Sequence, residues 1–287
     1  MEQVVEWRRL GPFAVAPIGF GAMRLTGPNV FGPPRDRREA IRVLREAIER
    51  GVNHIDTAQF YGPNIVNELI HAALHPYPRE LIIVSKVGAG RDRSGGVIAD
   101  DEPRQLRRAI EANLRTLEVD ALPVVNLRLM RNAVPDAFFD DQLLAMISAR
   151  DDGLIKAIGL SNISRSHLLR ALRVTDIACV QNFFHVASRA SQPVLEECTR
   201  RGIAFVPFGS LGFGATGPDA VLRRREVIEE AARLDVTPAQ LTLAWALALA
   251  PNMLLIPGAS SVDHLRENLD ASVVQLDPRA VDRLSAM

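Results

Sequence analysis

The chain has 287 residues and 24% of them are charged, with 34 basic residues balancing 34 acidic ones. Because this balance leaves no excess of Lys and Arg to neutralise phosphates or anionic lipids, nucleic acid and membrane surfaces are not expected partners. The longest apolar run, at 241–250, is half of the roughly 20 residues that a membrane span needs, and the N-terminus lacks the apolar core of a signal peptide, so we expect a cytoplasmic protein.

Short apolar runs alternate with amphipathic stretches from about residue 36 onwards. This alternation is typical of βα units around a parallel sheet. The clearest helix opens at Asp36, which forms a capping-box pattern with Glu39, and it stops at Gly51. Another helix is predicted at 238–250, with Thr237 as its cap and a proline in its first turn. The strands are predicted near residues 17–22, 52–57, 81–86, 123–128, 156–160, 177–181, 203–207 and 253–256.

These eight predicted strands, each followed by a helical pattern, fit a (β/α)8 barrel, an α/β fold that typically takes about 250 residues. We expect one such domain over residues 1–287. The alternative is an open doubly wound sheet, because GFGATG at 212–217 matches the dinucleotide-binding pattern G-x-G-x-x-G. That pattern normally follows the first strand of such a sheet, whereas here it follows the seventh predicted strand. A barrel with a phosphate-contacting loop at 212–217 is therefore the favoured prediction.

Three residues of complementary chemistry, which we call the polar trio, follow neighbouring predicted strands. Asp56 ends the second strand, Tyr61 follows it in HIDTAQFYG, and Lys86 ends the third strand in LIIVSK. All three lie at carboxyl ends of strands, where barrel enzymes build their sites. A tyrosine hydroxyl is a poor acid at neutral pH, but a neighbouring ammonium favours the phenolate, and a carboxylate can hold that ammonium in place. The trio is therefore a candidate general acid/base, the alternative being a structural Asp56–Lys86 ion pair with Tyr61 as a packing residue.

Five segments of the chain together carry a resemblance to a known superfamily. They are HIDTAQFYG, the Lys that ends the next strand, GLSN at 159–162, Gln181 in CVQN, and IPGASSVDHLREN at 256–268. From about Leu10 to Asp270 the chain resembles the aldo-keto reductase superfamily, and within it HIDTAQFYGP, VVNLR and the last segment are similar to the bacterial pyridoxal reductases. The resemblance implies an NADP(H)-dependent enzyme on a (β/α)8 barrel that reduces an aldehyde or ketone, with pyridoxal among the candidate substrates.

The resemblance also implies residues that hold the cofactor. Ser161, Asn162 and Gln181 would hydrogen-bond the nicotinamide carboxamide. Phe208 would stack on the nicotinamide ring, although packing alone also explains a Phe there. The loop at 209–217 would fold over the pyrophosphate, because its glycines let the backbone approach the phosphates. The full set implied is Gly21, Met23, Ser161, Asn162, Gln181, Phe208, Gly209, Leu211, Gly212, Gly258, Ser260, His264, Glu267 and Asn268.

The segment that begins at Gly258 favours NADP over NAD. It leads from the eighth predicted strand through Ser261 into a helix. A helix N-terminus offers unpaired N–H groups to an anion, which suits the adenosine 2′-phosphate, with Ser260 and His264 as side-chain donors. Many members of the family have a Lys and an Arg in this segment, where this sequence has Gly258 and His264. The preference for NADP is therefore a hypothesis.

The fourth predicted strand departs from the family pattern. The position that usually holds a catalytic His falls on Arg128, and Asn126 shares its face of the strand. Arg128 is thus a fourth candidate catalytic residue. An Arg can polarise a carbonyl oxygen but cannot relay a proton. Two interpretations stay open: Arg128 orients the substrate or binds an anionic group such as the phenolate oxygen of pyridoxal, or it pairs with a carboxylate such as Asp56 and makes no substrate contact.

Other polar residues carry weaker signals. Cys179 and Cys198 lack any CxxC spacing, which indicates a reducing compartment and no disulfide framework. His71 and His75 are four residues apart with no third ligand, so solvated helix histidines are favoured and no metal site is expected. His54 faces the barrel interior and is expected to be a hydrogen-bonded core residue.

A hypothesis of another class is a barrel that binds NADPH as a sensor or partner-docking subunit with little catalysis. The missing His in the fourth strand keeps that hypothesis open, whereas the intact polar trio favours an enzyme. The expected partner is a small-molecule carbonyl substrate. The sequence does not determine the oligomeric state, and a monomer is plausible.

Overall fold

The computed structural model describes residues 6–131, 134–212 and 219–287. The strands are β1 (Arg8–Leu10), β2 (Phe13–Val15), β3 (Phe20–Gly21), β4 (His54–Asp56), β5 (Ile82–Arg91), β6 (Val97–Asp100), β7 (Leu122–Arg128), β8 (Ile155–Ser161), β9 (Cys179–Gln181) and β10 (Ala204–Phe205). The α-helices are α1 (Arg37–Glu49), α2 (Ile65–Leu74), α3 (Pro103–Leu117), α4 (Ala137–Asp151), α5 (Arg165–Ala171), α6 (Gln192–Arg201), α7 (Asp219–Leu222), α8 (Arg225–Arg233), α9 (Pro238–Leu249), α10 (Val262–Asp270) and α11 (Pro278–Ser285).

The parallel strands follow one another around a closed barrel. Their hydrogen-bonded order is β3, β4, β5, β7, β8, β9 and β10, and the segment at 253–255 joins the two ends. Met253 bridges Phe205 of β10, and Leu255 bridges Ile18 just before β3, both in the parallel sense. The eighth predicted strand is therefore present as two bridges rather than as a continuous ladder. The predicted (β/α)8 barrel is confirmed, and the doubly wound sheet, which needs two open edges, is wrong.

The N-terminal hairpin of β1 and β2 closes one end of the barrel. Leu10 and Val15 are 1% and 0% exposed and join the apolar side chains that fill the barrel interior. Asn53, at the start of β4, accepts from the backbone N–H of Ala16 at 2.9 Å and donates to the carbonyl of Ala14 at 3.0 Å. The hairpin thus covers the amino-terminal end of the strands. The opposite, carboxyl end is the face on which a barrel opens its site.

Helix α1 begins where the sequence predicts, but its capping box is only half formed. Oδ1 of Asp36 accepts from the backbone N–H of Arg38 at 2.8 Å and of Glu39 at 3.0 Å. The carboxylate of Glu39 does not return a bond to Asp36. It accepts from the backbone N–H of Val262 at 3.2 Å and pairs with Arg42 at 2.6 Å. Glu39 therefore joins α1 to the start of α10, a tertiary contact that competes with the local cap.

The predicted helix at 238–250 is confirmed as α9. Thr237 and Gln240 exchange side-chain and backbone hydrogen bonds of 3.1 and 3.0 Å, which completes a capping box. Helix α9 is apolar nearly all round, as is typical of a buried helix. Its Trp245 is 0% exposed and donates its indole N–H to Ser285 at 3.0 Å. Among the described helices, none is long and apolar enough to cross a bilayer.

Candidate active site

The structure brings the polar trio together at the carboxyl end of the barrel. Asp56 ends β4, Lys86 lies inside β5, and Tyr61 lies in the loop between β4 and α2. All three are buried, Tyr61 with 7% exposure. The Lys86 ammonium donates to Oδ1 of Asp56 and, at 3.1 Å, to the carbonyl of Thr57, and it lies 5.2 Å from the centroid of the Tyr61 ring. The ion pair and the phenol therefore form one cluster.

The surroundings of Lys86 favour its charged form. Burial by itself lowers the pKa of Lys86, but attraction to Asp56 and to Tyr61 outweighs it, so the pKa lies above its ordinary value. A buried ammonium is stable only when its donors are satisfied, and here a carboxylate and a carbonyl satisfy two of them. Lys86 is thus a fixed positive charge beside the phenol.

Gln181 contacts the carboxylate of Asp56, which the sequence did not predict. Its Nε2 donates to Oδ2 of Asp56 at 2.5 Å, so each oxygen of Asp56 has a buried donor. Its Oε1 and the Oγ of Ser161 are buried without a hydrogen-bond partner anywhere in the described chain. Asn162, in the left-handed conformation with φ 59°, donates its Nδ2 to the carbonyl of Leu129 at 2.7 Å. Among the predicted carboxamide contacts, Ser161 Oγ and Gln181 Oε1 are therefore buried oxygens that are free for a ligand.

Arg128 and Asn126 separate although they share a strand face. Asn126 is 0% exposed, and its Oδ1 accepts from the thiol of Cys179 at 3.3 Å inside the barrel. Arg128 lies at the mouth, with its guanidinium carbon 5.5 Å from the centroid of the Phe208 ring. Burial lowers the pKa of Arg128, and attraction to Tyr61 acts in the opposite direction.

Of the two interpretations of Arg128, the one in which it pairs with Asp56 does not fit the structure. Both oxygens of that carboxylate are taken, by Lys86 and by Gln181. Across the described ranges, Arg128 has no carboxylate within ion-pair distance. Its charge therefore faces the mouth of the barrel uncompensated.

A second guanidinium near Tyr61 was not predicted. Arg91 donates to the carbonyl of Phe60 at 3.3 Å and to that of Gly95 at 2.7 Å. Burial lowers the pKa of Arg91, and attraction to Tyr61 and to Asp92 offsets this lowering only in part. The sequence predicts that this strand ends at Lys86. In the structure, β5 continues to Arg91 and pairs with β6 as a hairpin. The alternating small residues after Lys86 and the apolar run at 97–99 are the signal that could have revealed it.

Arg24 lies next to Gly258 and was not predicted as a site residue. A Cβ built on Gly258 would lie 2.7 Å from Cγ of Arg24, and one built on Gly21 would lie 2.3 Å from the carbonyl oxygen of Ile256. Both glycines are therefore required by close approach, and Gly258 leaves room for the Arg24 side chain. Arg24 is exposed and makes no ion pair within the described segments. A basic residue just after the first barrel strand was the available signal.

The N-terminus of α10 differs from its prediction. Its first N–H, on Val262, donates to Glu39 at 3.2 Å, and the N–H of His264 donates to Oγ of Ser261 at 3.3 Å. The expectation of unpaired N–H groups is wrong for Val262 and His264, because α1 supplies a carboxylate and Ser261 caps the helix. Ser260 and His264 are exposed. The prediction that they donate to the adenosine 2′-phosphate requires this exposure. Of the other predicted residues, Glu267 is half-buried and Asn268 is buried.

The loop after β10 is described only in its first part. Phe208 donates its N–H to the carbonyl of Asn182 at 3.0 Å, and its ring lies 5.8 Å from that of Phe183. Gly209 and Gly212 have φ of 72° and 98°, and the N–H of Gly212 donates to the carbonyl of Gly209 at 2.8 Å. Leu211 and Met23, both predicted cofactor contacts, pack against the apolar core. The remainder of GFGATG, at 213–217, lies outside the described residues, so its role stays a prediction.

His54 is buried but not hydrogen-bonded, so the second part of its prediction is wrong. It is 1% exposed, and neither ring nitrogen has a partner in the described parts of the molecule. Burial lowers the pKa of His54 to about 4, which keeps it neutral at neutral pH. The ring occupies the space over Gly19, where an added Cβ would lie 2.3 Å from Nε2.

His71 and His75 contact each other, with ring centroids 4.7 Å apart. Helix α2 ends before His75, and His71 lies 3.3 Å from the carboxylate of Glu118. His75 is exposed at the end of the helix, as expected for a solvated histidine, whereas His71 is half-buried within α2. No group of three metal-ligand side chains occurs within the described ranges.

Comparison with known proteins identifies the family of the chain. Residues 17–287 match the aldo/keto reductase family. Pyridoxine 4-dehydrogenase of Escherichia coli (strain K12) is 43% identical over 97% of this chain and 96% of its own length. An uncharacterized oxidoreductase of Schizosaccharomyces pombe is 34% identical, with 96% and 88% of the two chains covered.

Solved structures of aldo-keto reductases have the same fold as this chain. A thermostable aldo-keto reductase in complex with the inhibitor epalrestat superposes with TM-score 0.81 at 28% identity over 98% of this chain and 99% of its own. An aldo/keto reductase from Klebsiella pneumoniae in complex with NADP and acetate has TM-score 0.77 at 25% identity, over 97% and 95%. The chain therefore belongs to the aldo/keto reductase family and is an oxidoreductase, which confirms the predicted class.

Proposed function

We propose that this chain is an NADP(H)-dependent reductase of aldehydes or ketones in which Tyr61 protonates the carbonyl oxygen. The observation that carries the proposal is the Lys86 ammonium held by Asp56 at 5.2 Å from the Tyr61 ring. A fixed cation stabilises the phenolate that remains once the proton has left. The family membership supports the same chemistry.

The residues fit a nicotinamide cofactor. When bound, NADPH would supply the hydride. Ser161 Oγ and Gln181 Oε1 are buried and unpaired within the described residues, and a carboxamide carries the N–H donors that they lack. Near Gly258, the exposed cation of Arg24 suits a phosphate. NADP in the Klebsiella pneumoniae relative supports the choice of cofactor.

The proton moves between named atoms. The hydroxyl of Tyr61 donates to the oxygen that becomes the alcohol, as negative charge develops on that oxygen. Lys86 stabilises the phenolate, and Asp56 keeps Lys86 in position. In the reverse oxidation, the phenolate accepts the proton of the alcohol. Positioning and electrostatics thus supply the acceleration.

The substrate class follows from Arg128. Its guanidinium faces the mouth over Phe208 without a carboxylate among the described residues. Such a cation suits an aromatic aldehyde that carries an anionic oxygen, because it can bind that oxygen while the aldehyde meets Tyr61. Pyridoxal has this chemistry in its phenolate, and the 43% identical relative is a pyridoxine 4-dehydrogenase. We therefore propose pyridoxal as a substrate.

Replacing the proton donor tests the proposal. Tyr61→Phe should lower turnover of pyridoxal by about a thousandfold or more, because proton transfer loses its donor, while the Kd for NADPH stays close to that of the wild type. NADPH oxidation and NADPH fluorescence titration measure the two effects. Turnover near the wild-type rate would overturn the role of Tyr61. Tight NADPH binding without turnover of any aldehyde in the wild type would indicate a sensor instead.

A further inference from the structure

Gln181 lies between the groups around Tyr61 and the proposed contacts of the cofactor. It ends β9, is 1% exposed, and its Nε2 donates to Oδ2 of Asp56 at 2.5 Å. An ionised carboxylate accepts hydrogen bonds but cannot donate them, so the amide nitrogen has to face it and the amide oxygen has to point away. That oxygen is the buried, unpartnered Oε1. One amide group therefore holds Asp56 with one end and offers a buried acceptor with the other.

A second unpaired oxygen lies beside this acceptor. Ser161 pairs with Gln181 in the parallel register of β8 and β9, and its Oγ is also buried without a partner in the described chain. A buried polar group left unpaired costs about 1–3 kcal/mol. A ligand with N–H donors would remove that cost at both atoms. The nicotinamide carboxamide is such a ligand, and this step rests on the proposed function.

We propose that Gln181 is a positioning residue for the proton donor as well as a cofactor contact. By holding Oδ2 of Asp56, it orients the carboxylate whose other oxygen holds Lys86 beside Tyr61. A carboxamide bound to Oε1 fixes the plane of the same amide. Cofactor binding therefore steadies the ion pair that serves the phenol.

The charges that face Tyr61 set the direction of the expected effect. Lys86 lies 5.2 Å from the ring centroid, and among the described residues Arg91 and Arg128 are further cations that interact with the phenol. Asp56 offsets the charge of Lys86 and so favours the protonated phenol. Any change that strengthens Asp56 as a counter-ion should make Tyr61 ionise at higher pH.

The surroundings of Asp56 show what Gln181 contributes. His54 and Cys179 share with Asp56 a cavity of about 10 Å³ inside the barrel, and burial lowers the pKa of His54 and raises that of Cys179, so both are neutral. Lys86 and Gln181 are then the groups that stabilise the carboxylate charge. Without the N–H of Gln181, Asp56 neutralises Lys86 more completely.

The small number of tyrosines allows a direct test. The chain has two of them, so Tyr77→Phe leaves Tyr61 as the single phenol, whose ionisation can be followed by absorbance in the cofactor-free protein. In that background, Gln181→Met removes the donor at similar volume. We expect the midpoint of the Tyr61 titration to rise by about half a pH unit. Ser161→Ala, the matched control, should leave that midpoint unchanged.

NADPH binding separates the two roles of Gln181. Gln181→Met and Ser161→Ala should each raise the Kd for NADPH by about three- to tenfold, because each removes one acceptor. If Gln181 were a cofactor contact alone, both variants would leave the Tyr61 midpoint at its wild-type value, which overturns the inference. A wild-type protein that fails to bind NADPH would overturn the proposed function instead, and the cofactor-free titration would still decide this inference.

A double-mutant cycle checks the path through Asp56. In Asp56→Asn the carboxylate charge is absent, so adding Gln181→Met should not move the Tyr61 midpoint further. Additive shifts would contradict the inference. Gln181→Asn keeps an amide that is too short to reach Asp56, and it should reproduce the effect of Gln181→Met if the latter folds poorly.

Discussion

The charged groups of the site fall into two regions that differ in how their hydrogen bonds are satisfied. Around Asp56, both carboxylate oxygens have buried donors from the chain itself. At the mouth, Arg24 and Arg128 have no ion-pair partner among the described residues. The first region has its hydrogen bonds in the absence of a ligand, whereas the second would gain such contacts from a bound anion. Under the proposed function, the groups around Tyr61 are therefore preorganised, and those at the mouth are completed by ligands.

Breaking the satisfied region should have the largest effect. Lys86→Met leaves Asp56 buried without its cation, and removing one partner of a buried pair typically costs about 3–5 kcal/mol. We expect a loss of that size in the free energy of unfolding, measured by denaturant titration, together with loss of turnover.

An exposed ion pair provides the matched control. Arg107 pairs with Asp152 at 45% and 48% side-chain exposure, and exposed pairs contribute about 0–1 kcal/mol. Arg107→Met should therefore leave the free energy of unfolding close to the wild-type value. Equal losses for Lys86→Met and Arg107→Met would contradict the distinction between a preorganised pair and an exposed one.

Removing the cation over Phe208 should affect substrates selectively. Arg128→Met should lower kcat/KM for pyridoxal by about 10- to 100-fold, the value of one hydrogen bond to a charged group. Pyridine-4-carboxaldehyde, which lacks the phenolate, should lose much less. An equal loss for both aldehydes would show that Arg128 polarises the carbonyl, and no loss for either would show that it makes no substrate contact.

The smallest effect is expected at the cofactor phosphates. Arg24→Met should raise the Kd for NADPH by about tenfold, because a charge-assisted contact is lost, and the difference should shrink as salt is added. Arg108→Met, on the exposed face of α3, is the control and should leave the Kd unchanged. Identical affinities for all three proteins would exclude Arg24 from the phosphate site.

The elements that follow local rules were predictable. The barrel strands alternate with helices in the sequence, and the caps at Asp36 and Thr237 are local patterns that the structure confirms in part or in full. The polar trio was also predictable, because its members follow neighbouring parallel strands and so must meet at one edge. The family resemblance rested on the same segments.

Contacts between distant segments were not predictable. Glu39 bonds to α10 instead of its own helix cap, and Gln181 holds a carboxylate that is 125 positions away in the chain. Arg91 comes near Tyr61 because β5 continues into a hairpin. In each case the partner is chosen by packing in three dimensions, which residue spacing does not encode.

The sequence by itself determined the class of fold and indicated Tyr61 as the candidate proton donor, because periodic apolar runs and strand-end residues are local properties. The tertiary structure alone decided how the charges are distributed among partners. It showed that Asp56 is shared by Lys86 and Gln181 and that Arg128 has no ion-pair partner among the described residues. The physical reason is that a buried carboxylate needs hydrogen-bond donors. The donors that are close to it are set by closure of the barrel and not by distance along the chain.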